Sequence, residues 1–216
     1  MQLHWAFSRL LSWGLSLFFK LLYHPLAWTY DWVAAIVSLG RWKTWVLSVV
    51  PDLRGPRVLE LGHGPGHLQL ALARHQITPF GLDQSRQMGR IARRRLQTSG
   101  FSSLLVNGLA QHLPYRCEVF DQVVATFPTP YIIEKQTLDE IFRVLVPGGT
   151  LVVVPVAWIT GTSTLDRLAA NTFRILGQSP EWDDINLQAF RDAGLSPTIE
   201  RRILPSSLVL IITATK

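Results

Sequence analysis

The chain has 216 residues, 48% hydrophobic and 17% charged, which excludes an intrinsically disordered protein and fits one α/β domain with a full core. Its one cysteine, Cys117, excludes an intramolecular disulfide, and no cluster of cysteine and histidine suggests a bound metal. Both features favour a cytoplasmic protein. The net charge of +6 suits either nucleic acid or an anionic membrane surface and does not choose between them.

Residues 1–50 are rich in Trp, Leu and Phe and are predicted to form an apolar helical cap on a domain of residues 51–216. The apolar stretch 10–19 is about half as long as a membrane-spanning helix, and no signal-peptide cleavage site follows it. We interpret residues 1–25 as a helix that lies on the inner face of a membrane; the alternative is that it packs on its own domain. Its polar side chains share one narrow stripe, formed by Ser8, Arg9, Ser12, Ser16 and Lys20.

Residues 26–50 read as one or two helices broken near Gly40, which would cover an acceptor pocket and bring Tyr30 and Asp31 towards it. After them, short apolar runs alternate with helical patterns, which predicts a parallel sheet with helical crossovers. The predicted strands are 57–62, 78–83, 102–107, 120–126 and 149–156, and the helices between them are 66–76, 85–98 and 134–145. Two more helices, near 162–177 and 184–193, precede an antiparallel hairpin in 198–216.

The turn after the first predicted strand holds three glycines at alternate positions, Gly62, Gly64 and Gly66. Such a turn lets a ligand approach the backbone, and the N–H groups of the following helix then face that ligand. A dinucleotide fingerprint needs its third glycine at the position of His67, so this spacing does not match it. The simpler alternative is a tight connection that binds nothing.

The spacing of Glu60 and these glycines resembles motif I of the class I S-adenosylmethionine-dependent methyltransferases. The resemblance extends to four later segments, and its closest match is the branch similar to ubiquinone and menaquinone biosynthesis enzymes. Those segments are GLDQS (81–85), NGLAQHLPY (107–115), FDQVVATF (120–127) and RVLVPGGTLVVV (143–154). The resemblance implies a Rossmann-like α/β fold with a seven-stranded, mostly parallel sheet, an antiparallel C-terminal hairpin, apolar N-terminal helices and a lid helix near 162–177.

The resemblance also implies how S-adenosylmethionine would be bound. Asp83, with Gln84 beside it, would accept both ribose hydroxyls, a role that suits one carboxylate; the alternative is that Asp83 caps the next helix. Glu60 would hold the glycine loop and the ammonium region. Many relatives have an aspartate in the adenine loop where this chain has Leu109, which leaves the backbone of Ala110 and Gln111. Backbone carbonyls near Ala125 and Thr126 would meet the methionine part.

Methyl transfer requires alignment of the nucleophile and exclusion of water, and a general base only when the acceptor loses a proton. The candidates are His63, His67, His112 and Tyr131. His63 lies inside the glycine loop, and we favour a histidine hydrogen-bonded to a neighbouring loop over a base. Tyr131 follows the fourth strand and is expected to form a wall of the acceptor pocket.

We interpret the chain as a methyltransferase that acts on a small hydrophobic or lipid-like acceptor. One alternative is an RNA methyltransferase that uses the arginine cluster in residues 90–96, although no added RNA-binding module is present and nucleic acid is not the expected partner. The other is a non-catalytic, membrane-associated protein that binds S-adenosylmethionine. The sequence assigns neither the acceptor atom nor an oligomeric state.

Overall fold

The computed structural model describes residues 38–161 and 184–216, without the side chains of 184–186. The membrane helix of residues 1–25, Tyr30, Asp31 and the lid helix therefore lie outside the described residues. Strands are β1 Arg57–Leu61, β2 Thr78–Asp83, β3 Leu104–Asn107, β4 Phe120–Thr126, β5 Leu145–Val154, β6 Ala157–Ile159, β7 Ser196–Leu204 and β8 Ser207–Thr215. Helices are α1 Trp42–Leu47, α2 His67–Arg74, α3 Arg86–Thr98, α4 Lys135–Val144 and α5 Asp184–Asp192.

All eight described strands belong to one sheet, in the order β3-β2-β1-β4-β5-β8, with β6 and β7 both paired to β8. Strands β1 to β5 pair in parallel, and β8 runs antiparallel to β5, β6 and β7. Since β7 pairs with β8 along its whole length, β5 and β6 must share the other edge of β8. The sheet is thus seven strands wide, and the predicted fold class and C-terminal hairpin are confirmed.

Alternate residues of the central strands face two separate apolar layers, as expected for a sheet covered on both sides. Val58 of β1 and Val124 of β4 pack with Trp45 of α1 and Leu68 of α2. The residues between them face the other layer, which holds Leu138 and Ile141 of α4 and Phe190 of α5. Helix α3 packs beside α2 and against β2 and β3.

The described part of the N-terminal region is joined to the core. Gly40 has a φ of +79° and lies in a turn of residues 38–40 that precedes α1; the predicted helix before this turn lies outside the described residues. The ring of Trp42 lies 4.4 Å from that of Phe127, directly after β4. Within residues 38–161 and 184–216, no helix is long and apolar enough to cross a membrane.

Candidate active site

The loops that follow β1, β2, β3 and β4 meet at the carboxyl edge of the sheet, where open α/β folds bind their ligands. The glycine loop between β1 and α2 is fastened to β2 by two hydrogen bonds. The N–H of Gly62 donates to the carbonyl of Leu82 over 2.7 Å, and the N–H of Gly64 donates to Oδ2 of Asp83 over 2.8 Å. These bonds fix the backbone of the glycine loop relative to the end of β2.

Glycine is required in this loop by close packing as well as by backbone conformation. Gly66 has a φ of +81°, and a Cβ atom added there would lie 2.8 Å from Cβ of Ala92 in α3. The Arg95 guanidinium, also in α3, donates to the carbonyl of Pro65. On the opposite side, a Cβ on Gly62 would lie 3.2 Å from the Tyr131 hydroxyl oxygen. The loop is held between α3 and Tyr131, whereas a Cβ atom added to Gly64 would meet none of the described residues within 4 Å, so the backbone is open there.

Asp83 ends β2, and each of its carboxylate oxygens accepts one backbone N–H. Oδ2 accepts from Gly64 over 2.8 Å, and Oδ1 accepts from Ser85 over 2.7 Å. The cap of α3 is Ser85, whose hydroxyl accepts from the N–H of Met88, so the alternative in which Asp83 caps that helix is wrong. Because a carboxylate oxygen can accept two hydrogen bonds, each oxygen retains capacity for one hydroxyl donor.

Asn107, which sequence reasoning did not select, organises the same corner from the end of β3. Its side-chain amide donates to the carbonyl of Asp83 over 2.8 Å and to that of Gln84 over 2.9 Å. The side chain of Gln84 is exposed, so its backbone rather than its amide is fixed here. The sequence offered one signal for Asn107, its position at the end of a predicted strand, which is the position that Asp83 has at the end of β2.

Glu60 is 2% exposed and lies in β1, two residues before Gly62. The Gln69 amide donates to Oε2 of Glu60 over 2.8 Å and to the carbonyl of Phe80 over 3.1 Å. Burial raises the pKa of Glu60 to about 8, because the charged form loses its hydration; the Gln69 hydrogen bond opposes this increase and the charge of Asp83 adds to it. Glu60 is therefore mostly protonated at neutral pH.

His63 is 3% exposed and points into the protein. Its Nδ1 lies 2.8 Å from the carbonyl oxygen of Gly64, and its Cδ2 would be 2.9 Å from a Cβ atom added to Gly81. Burial lowers the pKa of the His63 imidazole, while the Asp83 carboxylate and the Gly64 carbonyl oppose that shift. The ring therefore pairs with the next residue of its own loop rather than with a neighbouring loop, and it also borders the space between α3 and β3.

The remaining predicted residues lie in the loop after β3 and at the end of β4. Ala110 is buried, Leu109 is 50% exposed, and the Gln111 amide donates to Oε2 of Glu134 over 2.7 Å. Ala125 is buried inside β4, and Thr126 ends that strand. The four predicted loops thus come together at one edge of the sheet, whereas His67 lies in the first turn of α2.

Comparison with known proteins agrees with this arrangement. Residues 19–176 match the model of the ubiE/COQ5 methyltransferase family. The chain is 33% identical over 140 residues to the ubiquinone/menaquinone biosynthesis C-methyltransferase UbiE of Bartonella quintana, covering 59% of this chain and 53% of that protein. It is 31% identical over 141 residues to the demethylmenaquinone methyltransferase of Symbiobacterium thermophilum, covering 61% and 56%. The chain spans about half the length of these curated relatives.

Solved structures share the fold at lower identity. Phosphoethanolamine N-methyltransferase 2 of Haemonchus contortus, solved with S-adenosyl-L-methionine, matches with a TM-score of 0.59 at 14% identity over 82% of this chain and 53% of that one. The [4+2]-cyclase SpnF matches with a TM-score of 0.58 at 21% identity over 82% and 80%. These similarities establish the fold and not the activity, because proteins of one fold catalyse many different reactions. The family match covers most of the sequence, and the chain belongs to the ubiE/COQ5 methyltransferase family.

Proposed function

We propose that the protein transfers a methyl group from S-adenosylmethionine to a small hydrophobic, quinone-like acceptor. The observation that carries the proposal is the joint placement of the glycine loop and the Asp83 carboxylate at the carboxyl edge of a family-typical sheet. The acceptor class is supported by the names of the relatives, which act in ubiquinone and menaquinone biosynthesis.

The residues at this edge fit the cofactor. Asp83 retains one acceptor position on each oxygen, which suits two vicinal ribose hydroxyls. The glycine loop leaves its backbone open at Gly64, where an added Cβ atom would meet none of the described residues within 4 Å. The buried carboxyl of Glu60 supports that loop and suits the neighbourhood of an ammonium group. We assign the adenine contacts to Gln84, Ala110 and Gln111, and the methionine contacts to the backbone at Ala125 and Thr126.

When bound, the cofactor supplies an electrophilic methyl group on a sulfonium, so the protein's task is alignment and exclusion of water. Tyr131 serves as a wall of the acceptor pocket, because its hydroxyl lies over the glycine loop. Phe127 and Trp42, in ring contact beside the end of β4, provide apolar surface there. His63 holds the loop through its Nδ1 and carries no proton transfer in this scheme.

Contact with a membrane is the second part of the proposal. Residues 1–25 lie outside the described residues, and their sequence supports an interfacial helix with Arg9 and Lys20 at headgroup level. A lipid-like acceptor would then reach the pocket from the bilayer. Flotation of the full chain with anionic liposomes tests this, because the Arg9→Glu/Lys20→Glu variant should float less than the wild type. Equal flotation of the two proteins would contradict the lipid contact.

Release of S-adenosylhomocysteine with a short-chain demethylmenaquinol tests the activity. Asp83→Ala should weaken S-adenosylmethionine binding by about 1.5–3 kcal/mol, the range for hydrogen bonds to a charged group. Asp139→Ala is the matched control, because Asp139 is an exposed carboxylate on α4 that pairs with Lys135. Release with RNA instead of the quinol would favour the RNA alternative. Cofactor binding without release on either acceptor would favour the non-catalytic one.

A further inference from the structure

Helix α3 and strand β3 border an open cavity of about 510 Å³, which is lined by arginines, by residues of β3 and by polar groups at the ends of β1 and β2. Leu105 of β3 contributes an apolar side chain, and Arg86, Arg90 and Arg93 of α3 form one wall. We call it the arginine cavity. Its volume lies in the range typical of small-molecule sites. It lies along β3 rather than in the loop after it, so it is offset from the predicted adenine contacts Ala110 and Gln111.

The three arginines share one face of α3, since positions separated by four and three residues are neighbours on a helix. Like charges at this spacing repel one another and destabilise an isolated helix. The Arg86 guanidinium is within 3.5 Å of the side-chain oxygen of Asn107, a neutral group. Among the ion pairs of the described residues, none involves Arg86, Arg90 or Arg93. Within the described ranges, this cluster of positive charge is therefore not compensated by an ion pair.

The surrounding sequence supplies little negative charge. Between residues 61 and 117, Asp83 is the single acidic residue, whereas the same segment contains seven arginines. Asp83 does line the cavity, but its two oxygens accept backbone N–H groups from Gly64 and Ser85. Arg93 is seven residues beyond Arg86, about 10 Å along the helix axis at 1.5 Å per residue. The far end of the cavity is thus a concave, cationic surface away from that carboxylate.

We propose that the arginine cavity binds a phosphate group, carried either by a soluble ligand or by a lipid headgroup. Guanidinium groups present planar, forked donors that match phosphate oxygens, and several of them on one wall suit a doubly charged monoester. The apolar side chain of Leu105 accommodates the carbon skeleton next to the phosphate. A phosphate also relieves the repulsion among the three arginines. The cavity adjoins the proposed cofactor site, because His63, Asp83, Ser85 and Asn107 also line it.

Two double variants of the full chain test the proposal. Arg90→Gln/Arg93→Gln removes two guanidinium groups from the cavity. Arg74→Gln/Arg94→Gln removes the same charge from exposed positions of α2 and α3 that do not line it. Calorimetry with pyrophosphate probes the soluble source, and flotation with phosphatidylcholine vesicles, with and without phosphatidic acid, probes the headgroup. Binding of S-adenosylmethionine, measured in parallel, reports whether each variant is folded.

Loss of the two cavity arginines is expected to weaken phosphate binding by about 10-fold to 100-fold, the effect of losing hydrogen bonds to a charged group. The control variant should change it less than about threefold, since exposed charges act weakly. Binding to one probe alone identifies the source of the phosphate. Equal losses in both variants, or no binding of either probe, would overturn the proposal. Tight binding of an RNA oligonucleotide that depends equally on all four arginines would also overturn it.

Discussion

Replacing the buried carboxyl of Glu60 by an amide should remove a dependence of stability on pH. Its pKa is raised by burial from an ordinary 4.5 to about 8. Between these values the folded chain keeps a proton that the unfolded chain has released. The free energy of unfolding therefore falls as pH rises, by about 1.4 kcal/mol per pH unit from this group. From pH 5.5 to 7.5 the contribution amounts to about 3 kcal/mol, a large part of the 5–15 kcal/mol typical of a domain.

Urea denaturation at pH 5.5, 6.5 and 7.5 measures this effect. Glu60→Gln keeps the shape of the side chain and should lower the stability at pH 5.5 only modestly, because an amide can pair with Gln69 in place of the protonated carboxyl. At pH 7.5 the variant should match or exceed the wild type. The difference between the two proteins, rather than either curve alone, isolates Glu60 from the other groups that titrate.

Glu118→Gln makes the same chemical change at an exposed side chain, and its stability should follow the wild type at all three pH values. If Glu60→Gln and the wild type lose stability in parallel between pH 5.5 and 7.5, then Glu60 is ionised in the folded protein. The account of its burial and of its bond with Gln69 would then be wrong.

Two further predictions concern the glycine loop. Gly66→Ala should destabilise the fold by about 2–4 kcal/mol, because it combines backbone strain with overpacking against Ala92. Gly100 has the same φ of +81° and open space around it, so Gly100→Ala should cost only the backbone strain of about 1–2 kcal/mol. Urea denaturation of both variants measures the difference. His63→Gln should reduce the turnover of S-adenosylhomocysteine release by less than about fivefold, whereas a loss of 10²–10⁴-fold would make His63 a general base.

The order of helices and strands could be predicted because buried parallel strands give short apolar runs that differ from helical patterns. The bounds of β2 and β4 are those predicted. Helix α3 begins one residue later than predicted, and α4 is shorter than predicted by one residue at each end. Strand β5 was predicted to begin at Gly149 but begins at Leu145. The Val-Pro-Gly-Gly segment stays in the sheet as an irregularity where the register between β4 and β5 shifts. A pattern of residue types carries no information on such a shift.

Residues of the candidate site could be predicted only where the residue type and its spacing in the sequence indicate a single role. Asp83 and the three glycines could be selected because their spacing fits a ligand. Gln69 and Asn107 could not, since their roles arise from approach across the sheet, from α2 to Glu60 and from β3 to the end of β2. For His63, the sequence could not distinguish a ring that faces an acceptor from one that packs inward on Gly81, because both fit a loop position.

Glu60 and Asp83 lie in neighbouring strands, yet their surroundings suit different tasks. Glu60 is buried on the side of the sheet that α1 and α2 cover, where water cannot hydrate a charged carboxylate. The hydrogen bond from the Gln69 amide is the contact that takes the place of water there. Asp83 ends its strand, where two backbone N–H groups meet its oxygens and an acceptor position on each remains. A ligand with vicinal hydroxyls can use the second carboxylate without disturbing the loop. A cationic ligand near the first would favour its ionised form, so binding should release a proton near neutral pH.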